Sequence, residues 1–236
     1  MLPEEQDIAE VDLAISNGLQ TNHRVLDLGC GPGLHCLDLT RRGFQNVVGM
    51  DISPPDLTMA RDISFVRGSW FKLPFGQSFD FVLLLHSMFD SSMDPPSIDR
   101  LLSEIKRVLK PGGKLLFDVT DGDKLIQSHS HNGKLQDRVA EYQNPTKNGG
   151  VLIYRSRTWL KLPENLRYLH EQQWLKDGEL IYENHHQPLK FYTGVQLKDM
   201  LDKAGFQFRQ LPPPIDDDSI IGDDYSVFIL ACKTSS

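Results

Sequence analysis

The run Val25-Leu-Asp-Leu-Gly-Cys-Gly-Pro-Gly33 sets three glycines at alternate positions directly behind a short apolar segment that carries Asp27. A buried strand, a turn without Cβ atoms at Gly29, Gly31 and Gly33, and a following helix would bring backbone N–H groups and a helix N-terminus to the carboxyl edge of a sheet. Open α/β sheets bind their ligands at that edge. This feature restricts the chain to an α/β fold in which a ligand lies against the main chain. The spacing is G-x-G-x-G, and Leu34 stands where a dinucleotide fingerprint has Gly or Ala, which counts against a nicotinamide cofactor.

The rest of the chain supplies the sheet. Ile8, Val11, Ala14 and Ile15 predict an amphipathic helix over residues 4–18. Strands are expected at 25–28, 47–51, 63–67, 80–85 and 114–119, with helices over 33–42 and 97–109, the second stopped by Pro111-Gly-Gly113. Such alternation means βαβ units and a parallel sheet. Between Asp51 and Ile63, eleven residues including Pro54 and Pro55 leave a crossover of barely two helical turns. From 151 to 192 the pattern changes to three β-strands with a tight turn at Asp177-Gly178. Thr193 can cap a helix that runs to Ala204 and ends at Gly205, and 206–211 with 225–231 suits an antiparallel pair joined by the acidic run Ile215–Asp224, read as a solvated loop.

A chain of 236 residues is ample for one such domain. Its net charge of −7, without a Lys/Arg cluster, disfavours nucleic acid as a partner. No window reaches the roughly 18 apolar residues of a membrane span, and the acidic start Met-Leu-Pro-Glu-Glu-Gln-Asp7 is unlike a signal peptide, so a cytoplasmic protein without a membrane partner is expected. Cys30, Cys36 and Cys232 are too few and too irregular for a disulfide framework or a zinc site.

Four motifs together carry a family resemblance: Val25–Gly33, the strand-end acid in Gly49-Met-Asp51, Phe79-Asp-Phe-Val-Leu-Leu-Leu85, and Val108-Leu-Lys-Pro-Gly-Gly-Lys-Leu-Leu-Phe117. In order and spacing, over about residues 20–120, they resemble the successive motifs of class I S-adenosylmethionine-dependent methyltransferases. The resemblance implies a doubly wound, seven-stranded, mostly parallel sheet with an antiparallel last strand. It implies that the backbone of Gly29, Cys30, Gly31 and Gly33 lies along the methionine part of S-adenosyl-L-methionine, with Asp27 helping to hold its amino end. Asp51 would accept both ribose hydroxyls, with Ile52 beside it. Ser69 stands where the family commonly has an acid for the adenine amino group, and Trp70 is placed either to stack on the adenine or to pack under the sheet. Leu85 ends the fourth strand near the same edge.

Just beyond Leu85, His86 falls where the transferred methyl should sit and is the candidate catalytic residue, as a base or as a donor that orients the nucleophile. Small-molecule methyltransferases of this kind, sugar N-methyltransferases among them, insert antiparallel strands after the fifth strand. Residues 121–192 are therefore expected to form a substrate cap on a single domain whose cofactor-binding core is about 1–120 and 193–232. Alternation puts Tyr168, His170, Gln172 and Trp174 on one face, and Leu180, Tyr182, Asn184 and His186 share a face on the next strand. Such a polar, aromatic face suits a small polar substrate, while a solvent-facing sheet or a dimer contact fits the same pattern. Adjacent His185 and His186 point to opposite faces, and no metal is expected. The reading is methyl transfer to nitrogen or oxygen of a small polar molecule by a monomer or homodimer. Its competitors are a protein side-chain methyltransferase, a non-catalytic cofactor-binding or interaction module, and an NAD-dependent oxidoreductase.

Overall fold

A computed structural model of the chain describes residues 5–53, 63–86, 89, 95–145, 151–175, 179–214 and 226–234. The chain begins with α1 (Glu5–Ser16), then alternates through β1 (Val25–Leu28), α2 (Leu34–Arg41), β2 (Val47–Asp51), β3 (Ser64–Arg67), β4 (Phe79–Leu84), α3 (Pro95–Val108) and β5 (Leu109–Thr120). There follow α4 (Gly122–Ser128), a small hairpin of β6 (Ser130–His131) and β7 (Lys134–Leu135), and the longer strands β8 (Arg138–Pro145), β9 (Val151–Lys161), β10 (Leu166–Leu175), β11 (Leu180–His185) and β12 (Leu189–Lys190). The described chain closes with α5 (Gly194–Ala204), β13 (Phe206–Leu211) and β14 (Ser226–Lys233).

The main sheet has the order β13-β14-β5-β4-β1-β2-β3. The pairs β1–β2, β2–β3, β1–β4 and β4–β5 are parallel, and β14 runs antiparallel to both β5 and β13. This is the doubly wound seven-stranded sheet that the family resemblance implies. The strands are short apolar runs because both faces are covered. Leu26, Leu28, Val82, Leu84, Leu115 and Phe117 face one core with Ile98, Leu101, Leu102 and Ile105 of α3 and with Leu197 and Leu201 of α5. Val25, Val47, Phe81, Leu83 and Leu116 face the other, with Val11 and Ala14 of α1 and Cys36 and Leu39 of α2. The period of two along each strand thus sorts neighbouring residues into different cores. Each buried Leu or Phe contributes about 1.5–3 kcal/mol.

Thr193 caps α5 as expected, its side chain and that of Gln196 forming a capping box, and Gly205 ends the helix at φ 77°. Other expectations need correction. The buried face of α1 carries Asp7 and Glu10 beside Val11 and Ala14, whereas Ile8 and Ile15 are exposed. Pro111-Gly-Gly113 lies within β5 rather than in a loop before it, since that strand starts at Leu109. The segment after β5 holds more structure than three strands: α4, the β6–β7 hairpin and β8 precede the expected ones, and a second sheet forms in the order β11-β10-β9-β8, with β12 on β10. The short crossover at 54–62, the Asp177-Gly178 turn and the acidic run at 215–224 lie outside the described residues.

Candidate cofactor and transfer site

Gly29, Gly31 and Gly33 have φ of 77°, 49° and 82°, in the left-handed region that costs an L-residue about 1–2 kcal/mol. The sequence folds this way because the turn is tied to the end of β2. The amides of Gly29 and Cys30 both donate to the Met50 carbonyl, at 2.7 and 3.1 Å. The Gly31 amide donates to Asp51 Oδ2 at 3.0 Å, and the Ser53 amide donates to Asp51 Oδ1 at 2.8 Å. α2 then starts from Gly33 with no side-chain cap, so its N-terminus faces the carboxyl edge. A Cβ on Gly31 would meet no heavy atom within 4 Å, which leaves open space beside the turn.

A cavity of about 160 Å³ adjoins the turn, lined among others by Leu28, Gly29, Met50, Asp51, Ile52, Ser69, Trp70 and Phe71. Its wall is mostly apolar, with the Asp51 carboxylate the charged group. Ile52 is 70% exposed at its margin. Trp70 and Phe71 meet edge to face at 6.2 Å between centroids, and Ser69 Oγ accepts from the Phe71 amide at 3.3 Å. This loop is pinned to α3. Arg107 donates to the carbonyls of Leu73 and Phe75 and pairs with Glu104, whose carboxylate accepts from the Leu73 amide. The Asp51 carboxylate and the Trp70 and Phe71 rings thus line one cavity. Larger cavities of about 260 and 510 Å³ lie along β13 and β14 near Lys124 and Gln210, away from the glycine turn.

The structure therefore brings Gly29, Asp51, Ile52, Ser69 and Trp70 around one cavity, with Gly31 and Gly33 in the adjoining turn. It does not bring the side chains of Cys30, Leu85 or Asp27 into it. Cys30 and Leu85 are buried in the core, so only their backbone is on offer. Asp27 is 2% exposed, and burial pushes its carboxyl above the usual range although Cys36 Sγ donates to it at 3.3 Å.

Close to the turn, on the same edge of the sheet, a group assembles that the apolar pattern of the sequence concealed. His86, at φ 63°, turns its Nε2 to Asp7 Oδ1 at 3.1 Å and Glu10 Oε2 at 3.3 Å. His35, in the first turn of α2, sets its Nε2 2.7 Å from the same Glu10 oxygen. Burial raises the Glu10 carboxyl, but hydrogen bonds from His35 and His86 outweigh it and hold the group at about 2. The hydrogen bond to Glu10 lifts His86 to about 9 against its partial burial, with the Glu10 and Asp7 charges adding to the rise. Burial lowers His35, yet Glu10 and Asp27 raise it overall. The spacing Asp7-x-x-Glu10 puts both acids on one helix face, and it was the signal available in the sequence.

The second sheet supplies a polar surface. On one face Tyr168 stacks on Trp159, His170 stacks on His185, and Glu183 accepts from Gln172 and pairs with His170. On the other face Glu171 receives Tyr154 and His186. The register pairs His170 with His185 and Gln173 with Tyr182, so His185 and His186 face opposite ways. The ends of the inserted segment meet: Asp121 bridges to Tyr192, the Gly122 amide donates to the Tyr192 carbonyl at 3.1 Å, and the Gly194 amide donates to Asp123 at 2.8 Å.

A family profile described as "Methyltransferase domain" matches residues 26–117, the span that holds the turn, Asp51 and the cavity wall. Over that span the chain is similar to methyltransferase domains, and its fold is that of solved S-adenosylmethionine-dependent methyltransferases. The cypemycin N-terminal methyltransferase of Streptomyces sp is 38% identical over 103 residues, 41% of this chain and 42% of that protein. A Geobacillus sp. (strain WCH70) protein described as a methyltransferase is 26% identical over 229 residues, 92% of this chain and 87% of that one. The chain spans no more than half the length of the first three curated relatives that it matches, at 34, 42 and 50%. The methyltransferase fold extends over the inserted sheet. The S-adenosylmethionine-bound structure of CalS10, an amino pentose methyltransferase from Micromonospora echinaspora, superposes with a TM-score of 0.67 at 18% identity, covering 95% of this chain and 89% of that one. No helix among the described residues is long and apolar enough to cross a membrane.

Proposed function

We propose that the chain transfers a methyl group from S-adenosylmethionine to nitrogen or oxygen of a small polar molecule. The observation that carries this reading is the Asp51 carboxylate, bonded to the Gly31 amide and lining the cavity that Trp70 borders. The cofactor supplies an electrophilic methyl on a sulfonium; sulfur keeps the bonding pair when the methyl leaves, and the methylated atom loses a proton. The chain's work is alignment and exclusion of water. Asp51 accepts from ribose hydroxyls, Gly29–Gly33 present backbone to the methionine part, Ser69 and Trp70 meet the adenine, and Asp27 assists at the amino end from its buried position. His86, half-exposed at the end of β4 with Nε2 committed to Asp7 and Glu10, orients the nucleophile as a donor.

Residues 121–192 serve as the cap that selects the substrate, and the remainder as cofactor core. Two features support a small polar substrate. β10 is partly buried along its whole length, and its face with Tyr168, His170 and Gln172 carries stacked rings and a paired carboxylate. The likeness to an amino pentose methyltransferase also spans this segment. Calorimetry with S-adenosylmethionine, S-adenosylhomocysteine and NAD, followed by transfer of labelled methyl to a panel of amino sugars and amino alcohols, tests the reading. Binding of NAD in preference to the sulfonium would overturn it; transfer to protein side chains but to none of the panel would replace the substrate class.

A further inference from the structure

The cluster beneath His86 has the composition and shape of a metal site. Asp7, Glu10, His35 and His86 each offer one ligand atom, and all four atoms lie within 4.8 Å of one another. The four distances from imidazole Nε2 to carboxylate oxygen are 2.7, 3.7, 3.1 and 3.3 Å. A tetrahedral ion with ligand bonds of about 2.0 Å has ligand-to-ligand edges of about 3.3 Å. These four of the six edges scatter around that value, and the other two are no longer than 4.8 Å, so small shifts would let all four atoms close on one ion. We infer that Asp7, Glu10, His35 and His86 form a binding site for a divalent first-row metal ion, zinc foremost.

The chemistry of the donor set agrees. Two imidazole nitrogens and two carboxylate oxygens suit zinc and its neighbours rather than calcium or magnesium, which take oxygen ligands. An ion that displaces the imidazole protons would meet two carboxylates and two neutral imidazoles, a charge of −2 that a divalent cation balances in a buried place. Asp7, Glu10 and His35 have side chains only 3, 3 and 7% exposed, while His86 is 52% exposed. An ion would therefore enter from the His86 side, at the carboxyl edge of the sheet.

Outer partners already hold the ligands in place. Gln6 Nε2 donates to Glu10 Oε1 at 2.7 Å, leaving Oε2 to the cluster. His35 turns its second nitrogen toward Asp27, 3.8 Å from Oδ2, and Asp27 is itself held by the Cys36 thiol. At that distance Asp27 acts on His35 by its charge rather than by a hydrogen bond. The His35 and His86 rings meet edge to face at 81° with centroids 5.0 Å apart, and the Nε2 of each approaches the same Asp7 and Glu10 oxygens. The four ligands come from α1, α2 and the end of β4, so a bound ion would clamp α1 to the edge where the nucleophile is oriented.

This inference deepens the reading of the transfer site, but its test needs neither cofactor nor substrate, so the two fail separately. The untagged chain is stripped with a chelator and titrated with zinc by calorimetry, and cobalt is added for its visible spectrum. His170, Glu183 and His185 form a second, exposed group of ligand type, so all measurements are made in a His185→Ala background. The expected result is one zinc per chain, intense cobalt bands of tetrahedral coordination, and an affinity reduced more than about 100-fold by Glu10→Gln or by His86→Ala, a larger loss than outer-partner changes give. His86 is half-exposed, so its variant keeps the test open if Glu10→Gln misfolds. No zinc binding, weak octahedral cobalt bands, or an affinity untouched by the folded His86→Ala variant would overturn the site and leave the cluster as an ion-pair network.

Discussion

Asp51 Oδ2 accepts the Gly31 amide at 3.0 Å, so the acid at the end of β2 and the glycine turn after β1 are one unit. Removing the carboxylate should act twice, by deleting the ribose acceptor and by loosening the turn. Asp51→Ala is expected to weaken S-adenosylmethionine and S-adenosylhomocysteine alike by about 1.5–3 kcal/mol, the range for hydrogen bonds to a charged group. Calorimetry that finds both ligands bound as tightly as by the parent chain would remove Asp51 from the site.

Gly31→Val tests the turn from the other side. The new Cβ would meet no heavy atom within 4 Å, but valine at φ 49° is strained by about 1–3 kcal/mol. A lowered melting temperature together with at least tenfold weaker S-adenosylhomocysteine binding is expected, because the added methyls enter the space beside the turn. A variant that is destabilised yet binds normally would show that the ligand does not pass Gly31.

The loop bearing Trp70 and Phe71 should depend on the Glu104–Arg107 pair. Glu104 is held below its ordinary value of 4.5, chiefly by the Arg107 hydrogen bond and against partial burial. A depressed carboxyl adds stability that is fully present above its unfolded pKa and is lost as pH falls through the folded value. Glu104→Gln should therefore cost about 1–2 kcal/mol in urea unfolding at pH 7, and the gap from the parent should narrow below about pH 4.5. A constant gap from pH 7 to pH 3 would show that the shape of the side chain, not its charge, holds the loop.

Because Asp121 and Tyr192 are bridged, the inserted sheet can be removed at its neck. Replacing residues 130–190 by a short Gly/Ser linker should leave cofactor affinity within a few-fold and abolish methyl transfer, since the cofactor residues all lie before Thr120. A folded deletion variant that has lost S-adenosylhomocysteine binding would contradict the division into core and cap.

Much of this arrangement was legible because it rests on local rules. The glycine turn needs positive φ, short apolar runs make buried parallel strands, and Thr193 with Gly205 brackets a helix by cap chemistry alone. The face of α1 was not legible, since Ile8 and Ile15 fit a helical period as well as Val11 and Ala14 do. What decided the matter was tertiary: His35 and His86 stand opposite Asp7 and Glu10, and this pairing helps to make two buried acids tolerable. β8 was missed for a similar reason. Arg138, Glu141 and Tyr142 look like surface residues, and they form a strand because β9 presents Arg155 and Tyr154 opposite them.

His86 belongs both to the transfer edge and to the Asp7–Glu10 cluster. A non-glycine residue at φ 63° is costly and persists where its surroundings enforce it. Here the enforcement comes from Asp7 and Glu10, which hold Nε2 and leave the rest of a half-exposed ring toward the edge where the nucleophile is expected. His86→Gly relieves the backbone but leaves the buried Asp7 and Glu10 to His35, so the melting temperature should fall, and turnover is compared well below it. Turnover should fall at least tenfold, with the fall in kcat rather than in the KM for S-adenosylmethionine, because the interaction lost is with the reacting partner and not with the cofactor. Measuring with and without added zinc separates a ring that orients the nucleophile directly from one that does so while bound to an ion: only in the second case does zinc change the turnover of the parent chain. A kcat within a few-fold of the parent in both conditions would make His86 a structural residue and leave alignment by the cap and the glycine turn as the source of the rate.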